Sequence, residues 1–198
     1  MDFKGFFSVP VDNLFAAPAI THWMKTNLQD WKDAVLVSPD MGGAKRVTGL
    51  ASRLDMEFAL IHKERKKANE VNKMILVGDV KDRVCVILDD MSDTCGTLCN
   101  AANILKENGA RKVVAVVTHG VLSGNALERI NATESLELLA VTNTIPQENN
   151  LANCPKIQCI DVTPTFAEAL RCKQEGRSLD DVFKLEKFEF LPSSMNDE

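Results

Sequence analysis

Two adjacent carboxylates precede a loop of small and hydroxyl side chains, and together they could bind a phosphorylated sugar. Asp89 and Asp90 follow the apolar residues 84–88, which predict a buried parallel strand with both acids at its carboxyl end. The loop after them contains Asp93, Thr94, Cys95, Gly96 and Thr97. Its amides open a predicted helix over residues 98–108, where an anion can bind. Carboxylates accept hydrogen bonds from sugar hydroxyls, so the segment predicts a sugar-phosphate site.

A second strand-to-helix turn carries a further acid. Residues 34–38 predict a buried strand, Pro39 ends it, and Asp40 lies at its carboxyl end. Gly42 and Gly43 then open the next helix, whose N-terminal amides can face an anion. Alone, the two glycines indicate an ordinary turn. Beside the acidic pair, they indicate a second anion site.

A run of basic residues follows another predicted strand. Lys63, Arg65, Lys66 and Lys67 place four cations in five positions. Such a run is most often a solvated surface or a localisation patch. Polar residues continue after it, as in a mobile flap.

Length, charge and cysteine usage narrow the class of protein. The chain has 198 residues, 45% of them hydrophobic, and a net charge of −5 with a pI near 5.3. We therefore expect one α/β domain over residues 1–185 and a tail over 186–198, without affinity for nucleic acid. There is no 18-residue apolar run, no signal-peptide pattern and no cysteine spacing that suits zinc. We expect a cytoplasmic protein with reduced cysteines and no membrane contact.

Apolar runs of strand length alternate with amphipathic segments along the chain. The predicted strands are 34–38, 58–62, 74–77, 84–88, 113–118, 138–142 and 157–161, and the predicted helices are 17–27, 44–54, 98–108, 125–130 and 166–174. This alternation predicts a doubly wound, mostly parallel α/β sheet. Gly78 and Asp79 between the third and fourth strands indicate a hairpin-like excursion before the central strand.

Three blocks of sequence carry a resemblance to a known family. They are residues 38–46 (SPDMGGAKR), residues 62–71 (HKERKKANEV) and residues 89–97 (DDMSDTCGT). In this order they resemble the ribose-phosphate pyrophosphokinases, also called phosphoribosyl pyrophosphate (PRPP) synthetases, from about Phe7 to about Phe183. The resemblance implies a type I phosphoribosyltransferase-like fold. It covers only the second of the two similar halves of such enzymes, so we expect a truncated, half-length or alternatively started member.

The resemblance also implies roles for individual residues. Lys63 and Arg65 would be catalytic cations on a flexible loop. Asp40, Gly42 and Gly43 would form a pyrophosphate loop, with Asp40 binding Mg²⁺. Ribose 5-phosphate would be bound by Asp89, Asp90, Asp93, Thr94, Cys95, Gly96 and Thr97, with only the backbone of Cys95 needed. We interpret His62 and His119 as structural or rim residues rather than bases, and either Asp89 or Asp90 could orient the anomeric hydroxyl.

Three functions are compatible with these residues. The first is an enzyme that converts ATP and ribose 5-phosphate to PRPP and AMP for nucleotide biosynthesis. The second is a non-catalytic or regulatory subunit that associates with full-length synthetase. The third, a phosphoribosyltransferase, accounts for the acidic block but not for the basic one. The family implies either a homo-oligomer or a hetero-oligomer with full-length synthetase, and it implies that the absent half supplies adenine contacts and a metal-binding histidine.

Overall fold

A single seven-stranded sheet forms the centre of the fold. The computed structural model describes residues 3–64 and 73–183. The strands are β1 (Val35–Ser38), β2 (Phe58–Glu64), β3 (Lys73–Val77), β4 (Val84–Ser92), β5 (Lys112–Gly120), β6 (Leu138–Thr142) and β7 (Ile157–Ile160). Their order across the sheet is β3-β2-β1-β4-β5-β6-β7. All neighbours are parallel except β2 and β3, so the predicted doubly wound, mostly parallel fold is confirmed.

Six α-helices accompany the strands in the described residues. They are α1 (Ala17–Asn27), α2 (Ala44–Leu54), α3 (Gly96–Glu107), α4 (Ala126–Ala132), α5 (Glu148–Asn153) and α6 (Thr163–Gln174). Short 3₁₀ helices span Phe3–Phe6, Trp31–Asp33 and Leu179–Phe183. No helix in the described part of the chain is long and apolar enough to cross a membrane.

The central strands are buried on both faces, as their continuous apolar runs predict. Every residue of β1 is buried, and so are the first five residues of β4. Val37 and Ile87 face the core that α3 and α4 cover, whereas Leu36 and Val86 are fully buried on the opposite face. Helix α2 packs against β1 and β2. These two layers hold the carboxyl ends of β1 and β4 in fixed positions.

The structure corrects several sequence-based boundaries. The strands predicted over 74–77 and 84–88 are not neighbours, because β3 pairs antiparallel with β2 at the sheet edge while β4 lies beside β1. The excursion is therefore a hairpin of β2 and β3, joined through residues 65–72. Strand β4 also continues through the acidic residues to Ser92, since polar side chains are tolerated where a strand leaves the core. Helix α5 was not predicted, because its sequence is short and mostly polar.

The chain divides into two compact units. One comprises Trp23–Asp161 and contains the whole sheet, and the other comprises Met1–His22 with Val162–Glu198. In the second unit, Ala169, Cys172 and Val182 form a small core of their own. One domain over residues 1–185 stays a prediction, and the predicted tail over 186–198 lies outside the described residues.

Candidate functional site

The order of the strands reverses between β1 and β4. After β1 the chain crosses to β2 on one side, and after β4 it crosses to β5 on the other side. The loops that follow β1 and β4 therefore diverge toward opposite faces and leave a crevice at the carboxyl ends of the strands. Open α/β sheets bind their ligands at such a point. Both sequence-predicted anion turns lie here.

The edge of the sheet is stepped at this crevice. Pairing between β1 and β4 ends at Val37 with Ile87, whereas pairing between β4 and β5 continues to Ser92 with Gly120. Asp89 and Asp90 thus lie on a part of β4 that has a strand neighbour on one side only. The other side of β4 is open to the turn that follows β1.

Arg46, in the first turn of α2, reaches both carboxylates of the acidic pair. Its Nη1 lies 3.5 Å from Oδ1 of Asp89, and its Nη2 lies 2.8 Å from Oδ2 of Asp90. The side chains of Arg46, Asp89 and Asp90 are 46%, 21% and 59% exposed. The contact joins the helix that follows β1 to the protruding end of β4, and a ligand can still reach it from solvent.

The two carboxyl groups differ in their tendency to ionise. Burial raises the pKa of Asp89 to about 6, and the negative charges of Asp90 and Asp40 act in the same direction. Burial alone would also raise the pKa of Asp90, but the Arg46 guanidinium, hydrogen bonding with Asp89 and the Met91 N–H together lower it. One negative charge is therefore firmly held on Asp90, while Asp89 exchanges its proton under mildly acidic conditions.

The turn after β1 is closed by its own side chains. Oδ1 of Asp40 accepts the Gly43 N–H at 3.1 Å, and the Ser38 hydroxyl donates to the Asp40 carbonyl at 2.7 Å. A Cβ on Gly43 would lie 2.7 Å from Oγ of Ser38, so only glycine fits there without displacing the serine. The turn is compact because a backbone amide and a hydroxyl are already bonded within it.

Asp40 fits a magnesium site only in combination with a substrate. In residues 3–64 and 73–183, no group of three or more His, Cys, Asp or Glu side chains could hold a metal ion. Asp40 itself is exposed at the end of β1. One carboxylate suits Mg²⁺ when waters and phosphate oxygens complete the coordination. The donor set is thus compatible with a magnesium–phosphate complex.

The loop after β4 differs from the first turn, because its amides point to no acceptor in the protein. Within the described ranges, no backbone or side-chain group accepts the N–H groups of residues 94–97, and α3 has no side-chain cap. Cys95 adopts a left-handed backbone conformation with φ of 59°. Its thiol is buried, Sγ lies 3.0 Å from Oγ of Ser92, and burial raises the pKa of this thiol. The sulfur therefore faces inward and the loop presents backbone.

Residues that are distant in sequence hold this loop from outside. The Ser123 hydroxyl donates to Oδ1 of Asp93, and Nη1 of Arg129 donates to the Thr94 carbonyl. Arg129, on α4, is also held by Oδ1 of Asn125 at 3.3 Å from Nη2. These contacts fix the loop without using its amides, and they place a cation beside the start of α3.

The basic run is only partly placed. Leu60 of β2 pairs with Ser38 at the end of β1, so residues 61–64 extend beyond β1 toward the same edge of the sheet. The backbone of Lys63 lies in this extension, opposite Met74. Its side chain, and the whole of Arg65, Lys66 and Lys67, lie outside the described residues.

His119 lies on the neighbouring strand rather than in the crevice. Its backbone pairs with Met91, and its Nδ1 hydrogen-bonds with Oγ1 of Thr144 at 2.9 Å. The predicted rim position fits this placement, because the ring is exposed and no hydrogen bond joins it to the acidic pair among the described residues.

Sequence reasoning missed three polar residues of the site. Arg46 belongs to the quoted block 38–46 but received no role, although its position in the first turn of α2 was available. Ser123 and Arg129 are 30 and 35 residues from their partners. Only the packing of α4 against α3 brings them to the loop, so no local pattern could have indicated them.

A protein-family model supplies the relationship that the site suggests. The model described as "Phosphoribosyl synthetase-associated domain" matches residues 67–184, which is more than half of the chain. The chain belongs to this family. The match includes the acidic pair, the loop after β4 and the side chains on α4 that hold it.

Solved structures agree with the membership of this phosphoribosyl synthetase-associated family. The chain is similar to phosphoribosylpyrophosphate synthetase from Mycobacterium smegmatis, with 35% identity and a TM-score of 0.75, over 87% of this chain and 55% of that chain. It thus spans about half the length of that synthetase. An adenine phosphoribosyltransferase matches at 15% identity and a TM-score of 0.50, over 63% of this chain and 76% of that chain, which shows a shared fold alone. The fold is that of a transferase family.

Proposed function

We propose that the chain binds ribose 5-phosphate and works as a ribose-phosphate diphosphokinase domain. The observation that supports this best is the pairing of two unlike features at the crevice. Asp89 and Asp90 offer carboxylate oxygens to sugar hydroxyls, and the adjoining loop offers amides that no protein group accepts within the described ranges. A pentose with a phosphate at its far end matches both features in one molecule.

In the proposed reaction, the anomeric hydroxyl oxygen of ribose 5-phosphate attacks the β-phosphorus of ATP. The bond from that phosphorus to the oxygen bridging it to the α-phosphorus breaks, and AMP leaves. Asp89 or Asp90 orients the hydroxyl, and its proton passes to solvent or to Asp89. By family likeness, Lys63 and Arg65 stabilise the charge that grows on the transferred group. Mg²⁺ held by Asp40 and the phosphates would neutralise further charge.

A second candidate function is a non-catalytic or regulatory subunit. It is favoured by the length of the chain, which spans 55% of the Mycobacterium smegmatis synthetase. If adenine is bound by the part that has no counterpart here, another polypeptide must provide it. We propose that such a polypeptide is a full-length synthetase and that the isolated chain alone turns over negligibly.

Binding of the sugar phosphate is tested first, by calorimetry on the full chain. Ribose 5-phosphate should bind, and ribose alone should bind far more weakly. Asp89→Ala and Thr97→Ala should each weaken binding by about 10-fold or more, since each removes a hydrogen bond to a polar or charged ligand group. Glu107→Gln, at the opposite end of α3, is the matched control and should leave binding unchanged. Equal affinity in all four proteins would contradict the assignment.

Catalysis is tested by AMP release from ATP, Mg²⁺ and ribose 5-phosphate. The chain is assayed alone and mixed with full-length synthetase. If this chain contributes a catalytic site to the mixture, Lys63→Ala should lower the added kcat by about 100-fold or more with little change in KM. Activity of the mixture that changes equally with the native and the Lys63→Ala chain would favour the regulatory function.

A further inference from the structure

The acidic pair at the crevice is already engaged by a cation of this chain. Arg46 directs one guanidinium nitrogen to each carboxylate, at 3.5 Å for Asp89 and 2.8 Å for Asp90. The remaining oxygens are partly used as well, since Oδ1 of Asp89 accepts the Asp90 N–H and Oδ1 of Asp90 accepts the Met91 N–H. A sugar diol that binds these carboxylates must therefore compete with Arg46 for their lone pairs.

The position of Arg46 connects it to the other turn of the crevice. Helix α2 begins directly after Gly43, and the Arg46 N–H donates to the Gly43 carbonyl at 3.0 Å. The turn that is proposed to receive a diphosphate thus carries, one helical turn later, the side chain that occupies the sugar-binding carboxylates. A guanidinium remains charged at all relevant pH values and binds carboxylate and phosphate oxygens with similar geometry.

Stability alone does not account for this ion pair. Arg46 and Asp90 are about half exposed, and ion pairs of such exposure contribute only about 0–1 kcal/mol. Loss of the guanidinium should therefore leave the fold intact. What the arrangement does provide is a cation within reach of two ligand sites that need opposite partners.

We propose that Arg46 is a positioning residue that couples the two subsites by exchanging the Asp89–Asp90 pair for a bound diphosphate group. With the turn empty, Arg46 occupies the carboxylates. With a diphosphate at residues 40–43, the guanidinium turns to the phosphate oxygens and the carboxylates are released to the sugar hydroxyls. Diphosphate binding then favours sugar binding, and by linkage sugar binding favours diphosphate binding to the same extent. This inference rests on the proposed function of the crevice.

The test is a pair of calorimetric titrations of the full chain with ribose 5-phosphate. One is done in buffer containing Mg²⁺, and the other adds a saturating concentration of inorganic pyrophosphate. For the native chain, pyrophosphate should tighten ribose 5-phosphate binding by about 5-fold or more, which is the usual lower range for coupled sites. In Arg46→Gln, affinity without pyrophosphate should rise and the effect of pyrophosphate should disappear.

Two further variants separate coupling from simple charge. Arg46→Lys keeps the charge but cannot contact two groups through a planar fork, so part of the coupling should return. Arg53→Gln makes the same change of charge at the far end of α2 and should keep the native coupling. Coupling that persists in Arg46→Gln, or is absent from the native chain, would overturn the inference while ribose 5-phosphate still binds. A native chain that binds no ribose 5-phosphate would overturn the proposed function and this inference together.

Discussion

The two strand-to-helix turns of the crevice look alike in sequence but solve opposite problems. The turn after β1 satisfies itself, because Asp40 accepts the Gly43 N–H and Ser38 donates to the Asp40 carbonyl. The loop after β4 leaves the amides of residues 94–97 without a protein acceptor in the described chain, and side chains from outside hold it in place.

The difference shows how the same local element can be ready for a ligand or closed to one. Unbonded amides at a helix start favour an anion, and a loop that is already fixed loses little entropy on binding one. A turn that bonds its own amide must first give that bond up. We therefore expect the loop after β4 to bind its anion on its own, and the turn after β1 to bind one only when a cation accompanies it.

The largest expected effect concerns the outside support of the loop after β4. Arg129→Gln removes the cation beside α3 and its hydrogen bond to the Thr94 carbonyl. Ribose 5-phosphate should bind about 10- to 100-fold more weakly, because hydrogen bonds to charged groups contribute about 1.5–3 kcal/mol. Calorimetry measures the loss, and Arg129→Lys should recover part of it. An unchanged dissociation constant would show that the loop keeps its shape unaided.

The next effect concerns the closed turn. Gly43→Ala places a Cβ against Oγ of Ser38, which is buried, so the free energy of unfolding should fall by about 2 kcal/mol. The double variant Ser38→Ala/Gly43→Ala should regain part of this loss, because the clashing oxygen is gone. Gly96→Ala, in the other loop, meets Nη1 of Arg129 only at an ordinary 3.4 Å and should cost less. Urea denaturation compares the three, and equal losses for the two glycines would contradict the contrast between the turns.

A smaller effect concerns the acidic pair between the turns. The pKa of Asp89 is raised to about 6 from an ordinary 3.8, so the folded chain binds more protons than the unfolded chain between these values. The free energy of unfolding therefore falls as pH rises from about 4 to 6. Asp89→Asn should remove this slope and stabilise the chain at pH 7 by about 1 kcal/mol after allowance for solvent screening.

Asp90 provides the control of opposite sign. Its pKa is lowered in the folded chain, so its contribution to stability is present above the ordinary value and is lost as pH falls through the lowered one. Asp90→Asn should therefore destabilise the chain at pH 7. Thermal denaturation over pH 4–8 distinguishes the two variants. Changes of the same sign in both would contradict the unequal charge state of the pair.

The smallest effect is expected at Cys95. Its thiol is buried against Ser92, and the loop presents only its backbone to a ligand. Cys95→Ala should change the affinity for ribose 5-phosphate by less than about 3-fold, a free energy below about 0.7 kcal/mol. A larger loss would show that the sulfur, and not only the amide, takes part in binding.

Much of the fold followed from local sequence patterns. Helix α1 begins and ends at the predicted residues, and the apolar runs of β1, β4 and β5 marked the buried centre of the sheet. The partner of β3 did not follow, because the pattern of an amphipathic strand says which face is buried but not which neighbour it bonds. In the site, Asp40, Asp89 and the loop after β4 were indicated by residue type and position. Arg46 and Arg129 were not, because their partners lie 43 or more and 35 residues away.

The stepped edge of the sheet separates what the chain can alter from what it must keep. Residues 84–87 of β4 pair with a strand on both sides or pack in the core, whereas Asp89 and Asp90 have a strand neighbour only on the β5 side. Exchanging a side chain on the protruding part disturbs neither the ladder to β1 nor the buried layers. Over evolutionary time, such a ledge lets ligand preference diversify among descendants of one scaffold while folding stays intact.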